Sequence, residues 1–318
     1  MKGSMRSIAV LGSLNADLVI QMDRYPNPGE TVAAKSFTQF SGGKGANQAV
    51  ACGRLDATVS MFGAVGKDIF ASKLLQSLEE SNVKYHDLSH CEDTSTGMAH
   101  IWVDAKGENS IALVAGANTR VDKDYIEAVL PKLKKFSWLL LQLEVPMDSM
   151  SYLLDRLPSE TPKVILDPAP AQPLAQLPTR RLWLITPNEH ELQSLTGIST
   201  VDTVGIRKAC RVLIEKTGTQ AVLCKAGSRG AYLDDGDRFQ HFPGYAVRMV
   251  DSTAAGDAFN GALAVALSTH KSLQEAIGIA NATGALCVTR PGAQQSMPWR
   301  KDLELFLDTQ CPNEEEIA

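Results

Sequence analysis

Asp257 follows three small residues, Ala254, Ala255 and Gly256. They lie where a strand-like stretch, Tyr245 to Val250, gives way to the helical spacing of Phe259, Ala262, Leu263, Ala266 and Leu267. The carboxylate therefore falls in the first turn of a helix. Unpaired N–H groups and the positive end of the helix dipole gather there, and side chains this small let a ligand reach the backbone. The turn can therefore hold an anion, phosphate above all. A carboxylate beside an anion site is electrostatically unfavourable unless it has a chemical role. Taking the proton from a hydroxyl that attacks a bound phosphoryl group is such a role. Helix capping is the competing explanation, because acidic residues are common in first turns.

Three further groupings could hold what such a base acts on. In Ser41-Gly-Gly-Lys-Gly-Ala-Asn-Gln-Ala49, glycines 42, 43 and 45 surround Lys44 just before a helical pattern. The spacing is not that of a phosphate loop, since no Ser or Thr follows the lysine. A glycine turn with Lys44 and Asn47 beside it suits a polyhydroxylated ligand, or is simply a tight turn with a surface lysine. Asn15 and Asp17, one residue apart on a strand-like stretch, share a face; an amide and a carboxylate together can pair with adjacent hydroxyls, or can line a solvent-facing edge. In Thr186-Pro-Asn-Glu-His-Glu191, Asn188 and Glu191 share a helical face. Glu191 could orient magnesium through water, and Asn188 could equally be an N-cap.

These groups need a frame, and the composition allows a globular one. The 318 residues are 44% hydrophobic and 21% charged, ample for a buried core in one large domain or two smaller ones. With 31 basic and 36 acidic residues the net charge is −5, which gives no general attraction to nucleic acid or an anionic membrane. The cysteines 52, 91, 210, 224, 287 and 311 lack metal-site spacing and read as reduced. The N-terminal apolar run Ile8 to Leu11 is too short for a signal peptide, and no run reaches membrane-spanning length, so a cytoplasmic protein is expected. The short run Glu314-Glu-Glu316 reads as a solvated tail.

The elements fall into two sets. From Trp138 onward, strands at 138–143, 164–166, 182–185 and 221–224 alternate with helices at 148–157, 189–195 and 204–216. This predicts a mostly parallel sheet with helices on both faces, and ligands at the carboxyl ends of its strands, where Glu144, Asp167, Asn188 and Lys225 stand. Ile8–Leu11 reads as a buried first strand, but no GxGxxG opens a helix after it, which argues against a nicotinamide-dependent dehydrogenase. Strand-like stretches 14–21, 31–40, 97–103 and 110–114 read as a small separate sheet. Between them lie a helix at 44–55, a strand at 58–62 and a helix at 70–80.

Asn15-Ala-Asp17, Gly42-Gly-Lys-Gly-Ala-Asn47, Asn188-x-x-Glu191, Gly227-Ser-Arg-Gly230 and Asp251-Ser-Thr-Ala-Ala-Gly-Asp257 occur in this order over the whole length, with Pro168-Ala-Pro170 and Thr289-Arg-Pro-Gly-Ala293 also in place. Together they closely resemble the ribokinase-like family of sugar and nucleoside kinases. The first two point, by that resemblance, to ribose. The resemblance implies a single α/β domain over 1–318, with lid strands inserted at about 14–41 and 97–114. It implies ATP-dependent phosphorylation of D-ribose at O5, with Asp257 as base and Ala254, Ala255 and Gly256 as anion hole. Asn15, Ala16, Asp17, Gly42, Gly43, Lys44, Gly45, Asn47 and Glu144 would hold the sugar. Asn188, Lys225, Ala226, Gly227, Ser228, Arg229, Gly230, Gly256 and Asn281 would line the ATP site, and Glu191 would orient Mg2+ through water. A monovalent cation, preferably K+, would sit at Asp251, Thr253, Cys287, Arg290, Gly292 and Ser296, several of them through backbone carbonyls. A homodimer through the lid sheet is expected too. Lys225 departs from the threonine usual in ribose-specific members and looks like other sugar-kinase branches. A kinase for deoxyribose or a ketose is thus the near alternative, and a non-catalytic sugar or nucleotide sensor a more distant one.

Overall fold

A computed structural model describes residues 7–310 of the chain. Cys311 and the tail Glu314-Glu-Glu316 lie outside the described residues, as does the N-terminal stretch before Ser7. In chain order the strands are β1 (Ser7–Leu11), β2 (Asn15–Gln21), β3 (Ser36–Gly42), β4 (Thr58–Phe62), β5 (Ala64–Gly66), β6 (Ser89–Cys91), β7 (Gly97–Val103), β8 (Asn109–Val114), β9 (Trp138–Leu141), β10 (Lys163–Leu166), β11 (Leu184–Ile185), β12 (Ala221–Lys225), β13 (Ala231–Asp234) and β14 (Phe239–Phe242). The helices are α1 (Lys44–Arg54), α2 (Ile69–Glu80), α3 (Lys123–Leu133), α4 (Met147–Arg156), α5 (Glu189–Thr196), α6 (Thr203–Thr217), α7 (Ala255–Ser268), α8 (Leu273–Cys287) and α9 (Arg300–Gln310).

The main sheet has the order β14-β13-β12-β11-β10-β9-β1-β4, parallel from β12 to β4 and antiparallel at the β12-β13-β14 edge. Its inner strands are apolar between their ends, with Ser7, Lys163, Lys225 and Asp234 only at terminal positions, because each face has a core of its own. Ile8 and Val10 of β1 and Leu140 of β9 join Val50 of α1, Leu263 of α7 and Ile277 of α8 on one side. Ala9, Leu11, Leu139 and Leu141 join Ile126 of α3, Leu153 of α4 and Ile206 of α6 on the other. Each large aliphatic side chain so buried contributes about 1.5–3 kcal/mol by leaving water.

A second sheet, in the order β3-β2-β7-β8, combines the parallel pair β2–β7 with antiparallel partners at both edges. It crosses the carboxyl end of β1, because β2 begins three residues after that strand turns at Gly12. Two sequence expectations fail here. The strand expected from Thr31 starts only at Ser36, because β2 ends at Gln21, the partner of Ser36, and leaves residues 31–35 without a strand to pair with. The strand expected over 245–250 does not form: β14 pairs only with β13, and the N–H groups of Val250 and Asp251 both donate to Val288 O at the end of α8. No helix among the described residues is long and apolar enough to cross a membrane.

Candidate active site

Helices α1 and α7 place the chemistry. They lie so close that a Cβ added at Gly261 would sit 2.5 Å from the Ala51 Cβ. Both N-terminal ends therefore meet at the carboxyl edge of the main sheet. Ala254 precedes α7 with a left-handed φ of 59° and offers no capping side chain. Asp257, 5% exposed, turns away from its own helix: Oδ2 accepts from Asn47 Nδ2 at 2.9 Å and Oδ1 from Gln48 Nε2 at 3.2 Å. Both donors sit on α1. This carboxylate is held by side-chain amides, and the first turn of α7 is left to its backbone N–H groups. Burial pushes the Asp257 pKa up; the Lys44 ammonium and the two amide donors oppose it, Asp167 adds to it, and the outcome is about 6. That value suits a base working near neutral pH.

The amides around Asp257 are themselves fixed. Gln294 Nε2 donates to Asn47 Oδ1 at 3.2 Å, and Gln142 Nε2 donates to Gln48 Oε1 at 2.8 Å. Gln48 Nε2 also donates to Asp167 Oδ2 at 3.0 Å, and Asp167 Oδ1 accepts from Lys225 Nζ at 2.9 Å. Lys44 is partly buried among carboxylates. Desolvation lowers its pKa, but Asp257, Asp167, Glu144 and Glu191 outweigh that and hold the ammonium above its ordinary range.

On the small sheet, Asn15 and Asp17 do share a face, and Ala16 turns to the other and is buried. Two glycines make room for them. A Cβ at Gly42 would meet Asp17 Oδ2 at 2.1 Å, and one at Gly97 would meet Asn15 Oδ1 at 2.2 Å. Asn118 Nδ2 donates to Asn15 Oδ1 at 2.7 Å, which fixes that amide. Glu144 accepts from Ser13 Oγ and, at 3.1 Å, from Lys44 N. Gly43, with φ of 88°, and Gly45 let the start of α1 lie against β1 and the turn after it; a Cβ on Gly45 would be 2.7 Å from Gly12 C. Burial first, then the charges of Glu144 and Asp257, raise the Asp17 pKa to about 7 against the pull of Lys44.

The residues expected around ATP line the same edge. Asn188 and Glu191 form a reciprocal capping box at the start of α5: Asn188 Oδ1 accepts from Glu191 N at 2.8 Å, and Glu191 Oε2 from Asn188 N at 2.8 Å. The turn after β12 closes through Ala226 N donating to Gly230 O at 2.8 Å, with Gly227 and Gly230 at positive φ. Ser228 is exposed. Arg229 is not directed into the cleft; it pairs with Glu189 and donates to Val201 O at 3.2 Å, bracing the turn against the α5–α6 connection. Asn281 Nδ2 donates to Phe242 O and Pro243 O at 3.2 and 3.1 Å, holding the chain beyond β14. Lys225 Nζ lies 3.4 Å from where a Cβ on Gly256 would stand, directly beside the first turn of α7.

Behind α7, Asp251 Oδ1 accepts from Thr253 N at 2.9 Å and Asp251 Oδ2 from Gly292 N at 2.9 Å. The Cys287 Sγ lies 3.0 Å from Ser296 Oγ and 3.8 Å from Thr253 O. Burial pushes the Cys287 thiol up to about 11, so it stays protonated. Five of the six residues expected to hold a monovalent cation thus converge. The sixth, Arg290, sends its guanidinium away to Asp302 at 3.2 Å, leaving only its backbone on this side. Among the described residues no three His, Cys, Asp or Glu side chains are arranged to hold a metal ion directly.

Sequence reasoning named Asp167 only as a strand-end residue and passed over Gln142, Gln48, Asn118 and Gln294. Gln142 directly follows β9 as Asp167 does β10, so the rule that ligands gather at strand carboxyl ends, which singled out Asp167, could have found it too. Gln294 lies in a short 3-10 turn before α9 and carries no such signal.

The profile of the pfkB family carbohydrate kinases matches residues 5–300. The chain is 38% identical to a ribokinase of Bacillus subtilis over 303 residues, 95% of this chain and 100% of that one. It is 36% identical to a deoxyribokinase of Salmonella typhi over 92% of this chain and 95% of the relative. The structure of Arabidopsis thaliana ribokinase complexed with ribose and ATP superposes with a TM-score of 0.90 at 32% identity, covering 95% of this chain and 98% of that one. A family profile that runs nearly end to end, together with this fold and this convergence of side chains, makes the chain a member of the pfkB family of carbohydrate kinases.

Proposed function

We propose that the protein transfers the γ-phosphoryl group of ATP to the 5-hydroxyl of D-ribose, giving ribose 5-phosphate and ADP. Asp257 takes the hydroxyl proton as the 5-oxygen attacks phosphorus, and the bond to the β–γ bridging oxygen breaks, its electrons leaving with ADP. The observation that carries this reading is the buried Asp257 carboxylate, fixed by Asn47 and Gln48 of α1 beside the first turn of α7, which has no side-chain cap. The N–H groups of Ala254 and Gly256, and that of Ala255 once it leaves Ser252 O, to which it donates at 3.3 Å, would receive the charge that develops on the transferring group. Asn15, Asp17, Lys44 and Glu144 supply donors and acceptors for the sugar hydroxyls on the opposite side of the base. Asn47 is committed to Asp257 and Gln294, and reaches the sugar only through its remaining N–H.

Deoxyribose is the second reading, favoured by the Salmonella typhi relative. A pocket that presents Asn15 and Asp17 to adjacent hydroxyls leaves one of them unpaired when the 2-hydroxyl is missing, and buried unpaired polar groups are the strongest basis for discrimination. ADP release measured across pentoses and hexoses tests this. Ribose as the best substrate by kcat/KM supports the proposal, and deoxyribose or a hexose in that place replaces it.

Magnesium would be held chiefly by the ATP phosphates and water, with Glu191 fixing one of those waters. The fit rests on both Glu191 oxygens being anchored by Asn188, which leaves the carboxylate rigid and able to accept further. The ion neutralises phosphate charge. Potassium would lie among Asp251, Thr253 and Ser296, whose oxygens gather behind the start of α7, and would order the chain entering the anion hole. Equal kcat in potassium, sodium and a bulky organic cation would remove that site from the account.

The small sheet would close over ribose as a lid, keeping water from the phosphoryl group. The lid and the α/β body would form one domain over the chain's length. The face that carries Asp17 runs on through Ala99 to the exposed Leu113, and beside it to the exposed Ile111, on the edge strand β8. A second copy covering this apolar edge would give a homodimer. We expect the enzyme to be cytoplasmic, and the five cysteines among the described residues, all free, fit a reducing compartment.

A further inference from the structure

The ion pair between Lys225 and Asp167 is almost fully enclosed, with side chains 12% and 3% exposed. Enclosing two charges costs several kcal/mol of solvation per ion, and a well-packed apolar pair in the same space is often as stable or more so. Stability alone is a weak reason to keep such a pair. Its location suggests a better one. Lys225 ends β12, its backbone N–H donates to Pro187 O, and its ammonium stands over Gly256 at the start of α7. Among the described residues one of its three N–H donors has a carboxylate partner, Asp167 Oδ1 at 2.9 Å. Asp167 is in turn held through its other oxygen by Gln48, whose Nε2 also donates to Asp257. The ammonium, through Asp167, and the base are thus tied to one amide, and both lie beside the first turn of α7.

We propose that Lys225 is a catalytic residue of the transfer, its ammonium passing from Asp167 to an equatorial oxygen of the phosphoryl group in flight, and that Asp167 is the positioning residue that aims it. The inference rests on the phosphoryl transfer proposed above. Charge spreads over those oxygens as the group leaves ADP, so a donor that engages them late stabilises the transition state more than bound ATP. Asp167 holds the ammonium in place until then and keeps it from binding the ground-state phosphates too tightly.

The test compares Lys225→Met, Lys225→Arg and the double variant Lys225→Met/Asp167→Asn with wild type. It measures kcat, KM for ribose, ADP affinity by calorimetry and Tm. Lys225→Met strands the Asp167 charge, so its Tm falls, and the double variant, which buries no charge, regains it. If Lys225 is catalytic, the double variant folds as wild type and still loses about 10²-fold or more in kcat, while ribose KM and ADP affinity stay within about threefold. Lys225→Arg then keeps more activity than Lys225→Met. If the pair is only structural, the double variant regains kcat together with Tm, and the proposal is wrong. A loss confined to nucleotide affinity, with kcat intact, also overturns it. Failure of the ribose reading looks different: wild type releases no ADP with ribose, and the same four-protein comparison is then run on whichever sugar wild type does phosphorylate.

Discussion

Two carboxylates of the site hold their protons far more tightly in the fold than in an unfolded chain. Asp17 is raised to about 7 and Asp257 to about 6, from 3.8, by burial before anything else. The folded state therefore binds more protons than the unfolded state between about pH 4 and 7, and these two groups make stability fall as pH rises through that window. Asp17→Asn should consequently raise Tm at pH 8 and leave it nearly unchanged at pH 4. A thermal melt of both proteins at the two pH values checks this, and an equal shift at both would mean that Asp17 is solvated. Catalysis has the opposite slope. The base works ionised, so kcat/KM for ribose should rise tenfold per pH unit below about 6 and level off above it. At this scale the sequence was legible where a residue's type was unusual for its place, as with Asp257 beside an anion site. It was not legible for Gln48 or Gln294, because an amide inside an apolar helix or turn looks the same whether it holds a catalytic carboxylate or a neighbouring carbonyl.

The site works as a unit because α1 and α7 cannot move apart independently. Gly261 allows their approach, with Gln48 O also only 3.0 Å from where its Cβ would be. Gly261→Ala should force the helices apart, cost about 1–3 kcal/mol of stability as overpacking does, and lower kcat by loosening the bonds from Asn47 and Gln48 to Asp257. Chemical denaturation together with kcat checks both effects; a variant with wild-type kcat would show that the helix spacing is not what aims the base. The positions of α2, α4 and α6 could be read from periodicity, because each buries one stripe, and β9 is apolar throughout; α1, buried without a gap from Gly45 to Gly53, was marked instead by the glycines that open it. Residues 245–250 misled because alternation reports a half-buried extended chain, and this segment is one, tethered to Val288 instead of to a strand. The antiparallel strands β13 and β14 escaped notice for separate reasons: Ala231–Asp234 is buried at every position but only four residues long, and Phe239–Phe242, at the edge, is partly exposed with no clear alternation.

As a whole molecule, the chain sets a small sheet across the carboxyl edge of a large one, with the candidate base at the junction. The order of motifs along the chain made that junction legible well before any distance was known. What the order could not convey is the edge: β8 is exposed at every position, with Ile111 and Leu113 59% and 51% exposed. If a second copy covers this face, Ile111→Lys with Leu113→Lys should convert dimers to monomers in analytical ultracentrifugation at micromolar concentration, and wild-type protein that is already monomeric there would reject the assembly. The most direct test of the central claim is phosphorus NMR of the product formed from ribose and ATP by wild type and by Asp257→Asn. The account predicts ribose 5-phosphate from wild type, and a variant that binds both substrates yet turns over about 10²- to 10⁴-fold more slowly. Phosphate on another hydroxyl, or a variant that keeps more than about a tenth of wild-type kcat, would contradict it.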